Sequence, residues 1–148
     1  MCIRDRTITD PGNSLMPTTV STFDHLNNSI YIHSSRGYTR DGQIKPDLAA
    51  PGVRVQGPAV QQENKAGTTL PVLTWRTGSS VAAAITAGAA AVLLSWGIAS
   101  GNEKSLTSTS LKATLIRGAD RNPGFSWPNR QWGFGTLNLY QSFLQMRE

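Results

Sequence analysis

Residues Arg76–Gly88 read RTGSSVAAAITAG, and here a small polar turn runs without interruption into one of the most apolar stretches of the chain. From Val81 to Ile98 the only polar side chains are Thr86, Ser95 and the indole edge of Trp96. As a helix rising about 1.5 Å per residue, this stretch would be roughly 27 Å long, just short of a bilayer's hydrocarbon core. Its apolar content is mostly Ala and Gly, and only Val81, Ile85, Val92, Leu93, Leu94, Trp96 and Ile98 are large. Ala contributes far less to membrane transfer than Leu, Ile or Phe. Small residues let neighbouring elements approach closely, so the pattern predicts a core helix buried over nearly its whole girth rather than a membrane span.

Outward from this helix the chain alternates short strand signals with turns. Thr18–Asp24 carries Val20 and Phe23 in a β-favouring context, and Ser29–His33 alternates around Ile30 and Ile32. Ser34–Gly42 is rich in turn residues, and Lys45–Gly52, KPDLAAPG, holds two prolines that exclude a regular helix, which predicts ordered loop. Val53–Val55 and Val72–Trp75 are strand candidates on either side of a polar loop, Gln61–Thr69. Beyond Gly101 the run NEKSLTSTS offers several N-caps. Leu111, Leu115 and Ile116 then fall at helical spacing before Gly118. Asn122–Trp132 is loop, and Leu139–Met146 is a short terminal helix. There is no internal repeat. Strands interleaved with helices imply an α/β architecture.

The length of 148 residues suits one domain with one core. An apolar share of 39% with 16% charged residues is that of a folded rather than a disordered chain. The net charge of +5 is spread from Arg4 to Arg147 without a basic run, which is a solvated surface and not a nucleic-acid footprint. Cys2 is the sole cysteine, so neither an intrachain disulfide nor a cysteine-based metal site can form. Residues 1–6, MCIRDR, are too short and too charged for a signal peptide and look like a junction sequence foreign to the rest of the chain. HExxH and GxxxxGK motifs are absent. Asn27-Asn28-Ser29 matches a glycosylation acceptor, a pattern common by chance.

Ser80 is the residue that could carry chemistry. A serine in the first turn of a helix sits where unpaired backbone N–H groups and the helix dipole favour developing negative charge. Gly78, Ser79, Ala82 and Ala83 around it are small enough for a substrate backbone to approach. On this feature alone, an ordinary structural cap is the better explanation of the serine.

GSSVAAAITAGAAAVLL resembles the serine segment of the subtilisin-like serine peptidases, Gly-Thr-Ser-Met-Ala-x-Pro-His-Val-Ala-Gly, with Gly78, Ser80, Ala82, Ala87 and Gly88 in register. KPDLAAPGV, Lys45–Val53, is similar to the family's Lys-Pro-Asp-x-x-Ala-Pro-Gly segment. GFGTLNLYQSF, Gly133–Phe143, resembles its closing Gly-x-Gly-x-(Leu/Val)-Asn segment. Departures are Ser79 for Thr, Ala84 for Pro and Ile85 for His. This variant is similar to a branch from Gram-positive anaerobes that includes spore-germination proteases.

The resemblance implies the carboxy-terminal half of a subtilisin-like α/β catalytic domain over residues 7–148, with a parallel sheet packed by helices. Ser80 would be the nucleophile, and polypeptide the substrate. A serine needs a base and an orienting carboxylate. His25 and His33 lack the family's His-Gly-Thr setting and lie too close to the serine segment. Asp10 precedes Pro-Gly, and Asp47 belongs to the Lys-Pro-Asp segment. The amino-terminal half of the same domain is therefore an expected partner, and this chain alone is expected to be inactive and poorly soluble. Thr9 and Gly12, in TITDPGN, match less specifically a segment flanking the substrate pocket. No cofactor is expected; calcium is a family trait for which no ligands are assigned here. The implied location is secreted, cell-surface or spore-associated. The alternatives are a non-catalytic pseudoprotease that binds or regulates, and a small membrane-anchored protein.

Overall fold

The computed structural model describes residues 6–59, 62–63, 69–70 and 73–147. Most of the MCIRDR segment, Cys2 included, lies outside the described residues. In chain order the elements are β1 (Val20–Asp24), β2 (Ser29–Ile30), β3 (Leu48–Pro51), β4 (Val55–Pro58), β5 (Gln62–Glu63), β6 (Thr69–Leu70), β7 (Leu73–Arg76), α1 (Ser79–Leu94), α2 (Ser108–Arg117) and α3 (Leu139–Arg147). A π-helical turn, Ser95–Ala99, continues α1.

The scaffold is the parallel pair β1 and β3, with Val20 opposite Leu48 and Phe23 opposite Pro51. β2 adds antiparallel to the outside of β1. Beyond β3 the chain of Gly135–Leu137 extends the sheet, through Ala49 N–H to Gly135 O at 2.9 Å and Leu137 N–H to Ala49 O at 2.8 Å. Asp120 then pairs with Thr136. Side chains alternate across a strand. Leu48 therefore points into a core with Leu93 of α1 and with Leu111 and Leu115 of α2. Phe23 and Ala49 point to the other face, where Trp132 covers them. Leu48 and Leu93 are fully buried, and each such side chain contributes about 1.5–3 kcal/mol.

Lys45–Gly52 is the main correction to the loops read from the sequence. The two prolines exclude a helix, yet Pro46 precedes β3 and Pro51 ends it. Between them Leu48, Ala49 and Ala50 are wholly buried and pair with β1. The strand signal at Ser29–His33 shortens to Ser29–Ile30, and the one at Val53 starts at Val55. Where described, the Gln61–Thr69 loop is a strand pair, β5 with β6. α2 falls where expected, and its cap is Thr107: Ser110 N–H donates to Thr107 Oγ1 at 3.2 Å while Thr107 N–H donates to Ser110 Oγ at 2.8 Å. This reciprocal pairing satisfies two helix-end donors at once.

The helix α1 also departs from expectation. Its buried residues are Ala82, Thr86, Ala89 and Leu93, a single stripe at three- and four-residue spacing. Ala83, Ala84, Ala87, Gly88, Ala91 and Val92 are exposed. The described chain supplies one packing surface, β1 and β3 with part of α2. The small residues on the outer side of α1 therefore have no covering layer among the described residues. By length and composition alone, Ser79–Ala99 also suffices to cross a membrane.

One ionic cluster ties the strand ends to α2. Asp47 contacts Lys45 Nζ at 2.7 Å and Lys112 Nζ at 2.8 Å, and accepts from Thr19 N–H at 2.7 Å. Lys45 Nζ also donates to Pro17 O at 2.8 Å. Burial pushes Lys45 below the usual lysine range, against the opposing pull of Asp47.

Candidate active site

The start of α1 is built against the carboxy-terminal ends of the parallel strands, where α/β folds commonly place their sites. Gly52, just past β3, donates its N–H to Phe23 O at 3.1 Å and accepts from Gly78 N–H at 2.8 Å. A Cβ at Gly52 would stand 2.5 Å from Thr22 Cγ2 and 2.8 Å from Gly78 O. Glycine is required here for close approach. Gly78 is the extended N-cap of α1, and its carbonyl accepts from Val81 N–H at 3.1 Å. Thr77 Oγ1 accepts from Arg54 N–H at 2.9 Å, binding the same turn to the start of the β4–β7 hairpin.

This places Ser80 second in α1 and exposed. Its backbone N–H lies in the first turn, ahead of the i→i−4 ladder that would give it an acceptor within the helix. The first turn carries no acidic residue. The helix dipole there is free to favour an anion or an oxyanion. Ser80 thus combines a solvent-accessible hydroxyl with the electrostatics that a developing negative charge needs.

Neither histidine is joined to it by a hydrogen bond among the described residues. His25 is exposed in the β1–β2 turn, and His33 lies edge-on to Tyr31 with ring centroids 5.2 Å apart. Asp47 is occupied by its two lysines. Asp24 caps its own turn, and the Leu26 backbone N–H holds its carboxyl below the usual range, helped by Asn27. Asp10 is exposed in the turn before Gly12.

Thr9 is exposed, and Gly12 O accepts from Thr19 Oγ1 at 2.6 Å. Thr19 precedes β1, whereas Ser80 stands near its far end. The four steps from Thr19 to Phe23 span about 13 Å of strand. Gly12 thus sits beside the start of β1, and no hydrogen bond joins Thr9 or Gly12 to the serine among the described residues. Among the described residues no three His, Cys, Asp or Glu side chains gather into one cluster.

Sequence reasoning missed Gly52 as part of this turn. Pro51-Gly52 signals a chain reversal locally, but its partner Gly78 is distant in sequence and only the fold joins them.

The family model described as the subtilase family matches residues 4–135, a span that holds Ser80 and the Lys45–Gly52 segment. The chain belongs to the subtilase family. Among solved structures, this subtilase chain is similar to the CspB protease of Clostridium perfringens, with 28% identity and a TM-score of 0.79 over 96% of this chain and 29% of that one. It is similar in fold to the prenylagaramide maturation protease PagA, at 22% identity and TM-score 0.64 over 93% of this chain and 45% of that one. The keratinolytic enzyme fervidolysin from Fervidobacterium pennivorans shares 20% identity at TM-score 0.66, over 91% of this chain and 20% of that one. No curated protein matches. The subtilase chain thus spans less than half the length of each of these relatives.

Proposed function

We propose that this chain is the nucleophile-bearing, carboxy-terminal part of a serine endopeptidase domain, over residues 7–148. The observation that carries the proposal is the placement of Ser80 in the first turn of α1, inside the span matched to the subtilase family. Ser80 Oγ attacks the scissile carbonyl carbon of an extended polypeptide. A histidine from outside this chain takes the hydroxyl proton and gives it to the leaving amine. The Ser80 N–H at the head of α1 supplies one donor to the tetrahedral oxyanion, and water then releases the acyl group from the ester.

The rest of the domain has two tasks. It supplies the histidine and its orienting aspartate, and it covers the exposed small residues of α1. By family likeness the protein works outside the cytoplasm, at the cell surface or in the spore. By the same family likeness, Thr9 and Gly12 are assigned to the pocket for the substrate residue before the cut.

In the full-length protein, Ser80→Ala removes peptide hydrolysis, because losing the nucleophile leaves only about 10³–10⁴-fold of catalysis over water. The upstream coding sequence should carry a His-Gly-Thr and an Asp-Ser/Thr-Gly segment in the same frame. Full activity in Ser80→Ala contradicts the assignment. A second reading, a pseudoprotease that binds without cutting, is favoured by Ala84 and Ile85 standing where the family has Pro and His. It requires an upstream triad His or Asp to be replaced.

A further inference from the structure

On the sheet face opposite α1, the loop after Asp120 and the β1–β2 turn enclose a cleft of about 500 Å³. Its wall is aromatic. Trp132, packed on Phe23 at 5.4 Å, anchors Phe125, whose ring lies 24° from parallel with a centroid spacing of 6.1 Å. Phe125 meets Trp127 edge-on, also at 6.1 Å. Phe125 nevertheless stays 48% exposed. Three rings are thus locked together, and one of them turns an open surface to solvent.

The rim is polar and held in place. Arg121 lines the cleft, and its guanidinium is fixed from behind, Nε donating to Phe134 O at 2.9 Å and Nη2 to Ile116 O at 2.8 Å. Asp120 Oδ2 accepts from Asn138 at 2.9 Å, leaving Oδ1 as an acceptor. Trp127 Nε1 donates to Asn122 O at 2.9 Å, and Gly124 N–H to Asn122 Oδ1 at 2.8 Å, so the loop carrying Phe125 closes on itself. Asn28 completes the rim from the β1–β2 turn.

We propose that this cleft binds a neutral oligosaccharide. A pyranose presents an apolar C–H face that can lie on an exposed ring, and hydroxyls that both donate and accept at its edge. Donors from Arg121 and Asn28 stand beside the acceptor of Asp120, matching that mixture. The carboxylate of Asp120 and the guanidinium of Arg121 offset each other, so the rim does not select a guest carrying a single sign of charge. A wholly apolar ligand would strip water from this rim without replacing its hydrogen bonds. The volume falls within the range of small-ligand sites. None of these residues takes part in the serine chemistry.

Calorimetric titration of the full-length protein with linear trisaccharides of glucose and of N-acetylglucosamine, with trilysine as a cationic control, tests the assignment. Saturable binding of a trisaccharide is expected. Phe125→Ala should weaken it about three- to tenfold, in line with the worth of a well-placed aromatic contact. Phe125→Tyr should retain it, and Ser80→Ala should leave it unchanged. Asp120→Ala, which leaves the aromatic stack intact, should weaken it independently. The proposal is overturned if no trisaccharide binds at millimolar concentration, if folded Phe125→Ala and Asp120→Ala bind as well as wild type, or if only trilysine binds.

Discussion

Ser79 and Ser80 are adjacent exposed hydroxyls, but the turn distinguishes them. Gly78 and Gly52 lock the backbone at the head of α1, and Ser80 Oγ lies 3.4 Å from where a Cβ on Gly78 would stand. Gly52→Ala should therefore lower activity at least as much as stability, because the added methyl group pushes on Gly78 O and displaces the nucleophile. Comparing kcat with Tm checks this, and a variant with normal kcat contradicts it. Asp47 is a structural counterpart. Removing its charge leaves Lys45 buried without a counter-ion, so Asp47→Asn should cost about 3–5 kcal/mol in denaturant unfolding. The lowered Lys45 pKa has a definite sign: between its folded value and the ordinary lysine range, the unfolded state binds more protons, so this group makes stability rise with pH across that window. Urea midpoints that fall monotonically there in wild type, with Lys45→Met falling identically, would contradict the direction.

At the scale of elements, helices were more legible than strands. α1, α2 and α3 announce themselves through apolar spacing and, in α2, through Thr107 and Ser110 as a local cap. β3 was hidden because its prolines mark both ends, while the reason Ala49 and Ala50 form a strand is tertiary pairing with β1. Ser80 was legible because its signal is local; the Gly52 contact was not, because it joins distant segments. The buried stripe of α1 carries a direct test. Leu93 is fully inaccessible and packs with Leu48, Leu111 and Leu115. Leu93→Ala should lower unfolding free energy by about 2–5 kcal/mol. A loss well below that would mean that α1 is not fixed on this core.

For the whole molecule, the decisive feature is the bare outer side of α1. A Cβ at Gly88 meets nothing within 4 Å. If the remainder of the domain packs there, Gly88→Leu in the full-length protein should cost about 1–3 kcal/mol through overpacking. Unchanged stability would mean that this side stays open. The same exposed surface, with Leu73 and Trp75 bare on β7, accounts for the expectation that the chain alone aggregates. The central claim is that Ser80 is the nucleophile. Labelling the full-length protein with a fluorophosphonate and locating the adduct by peptide mass spectrometry tests it most directly. The modification should fall on Ser80 and vanish in Ser80→Ala, whereas an adduct on Ser79, or none on either serine in a protein that still cleaves peptides, would contradict it.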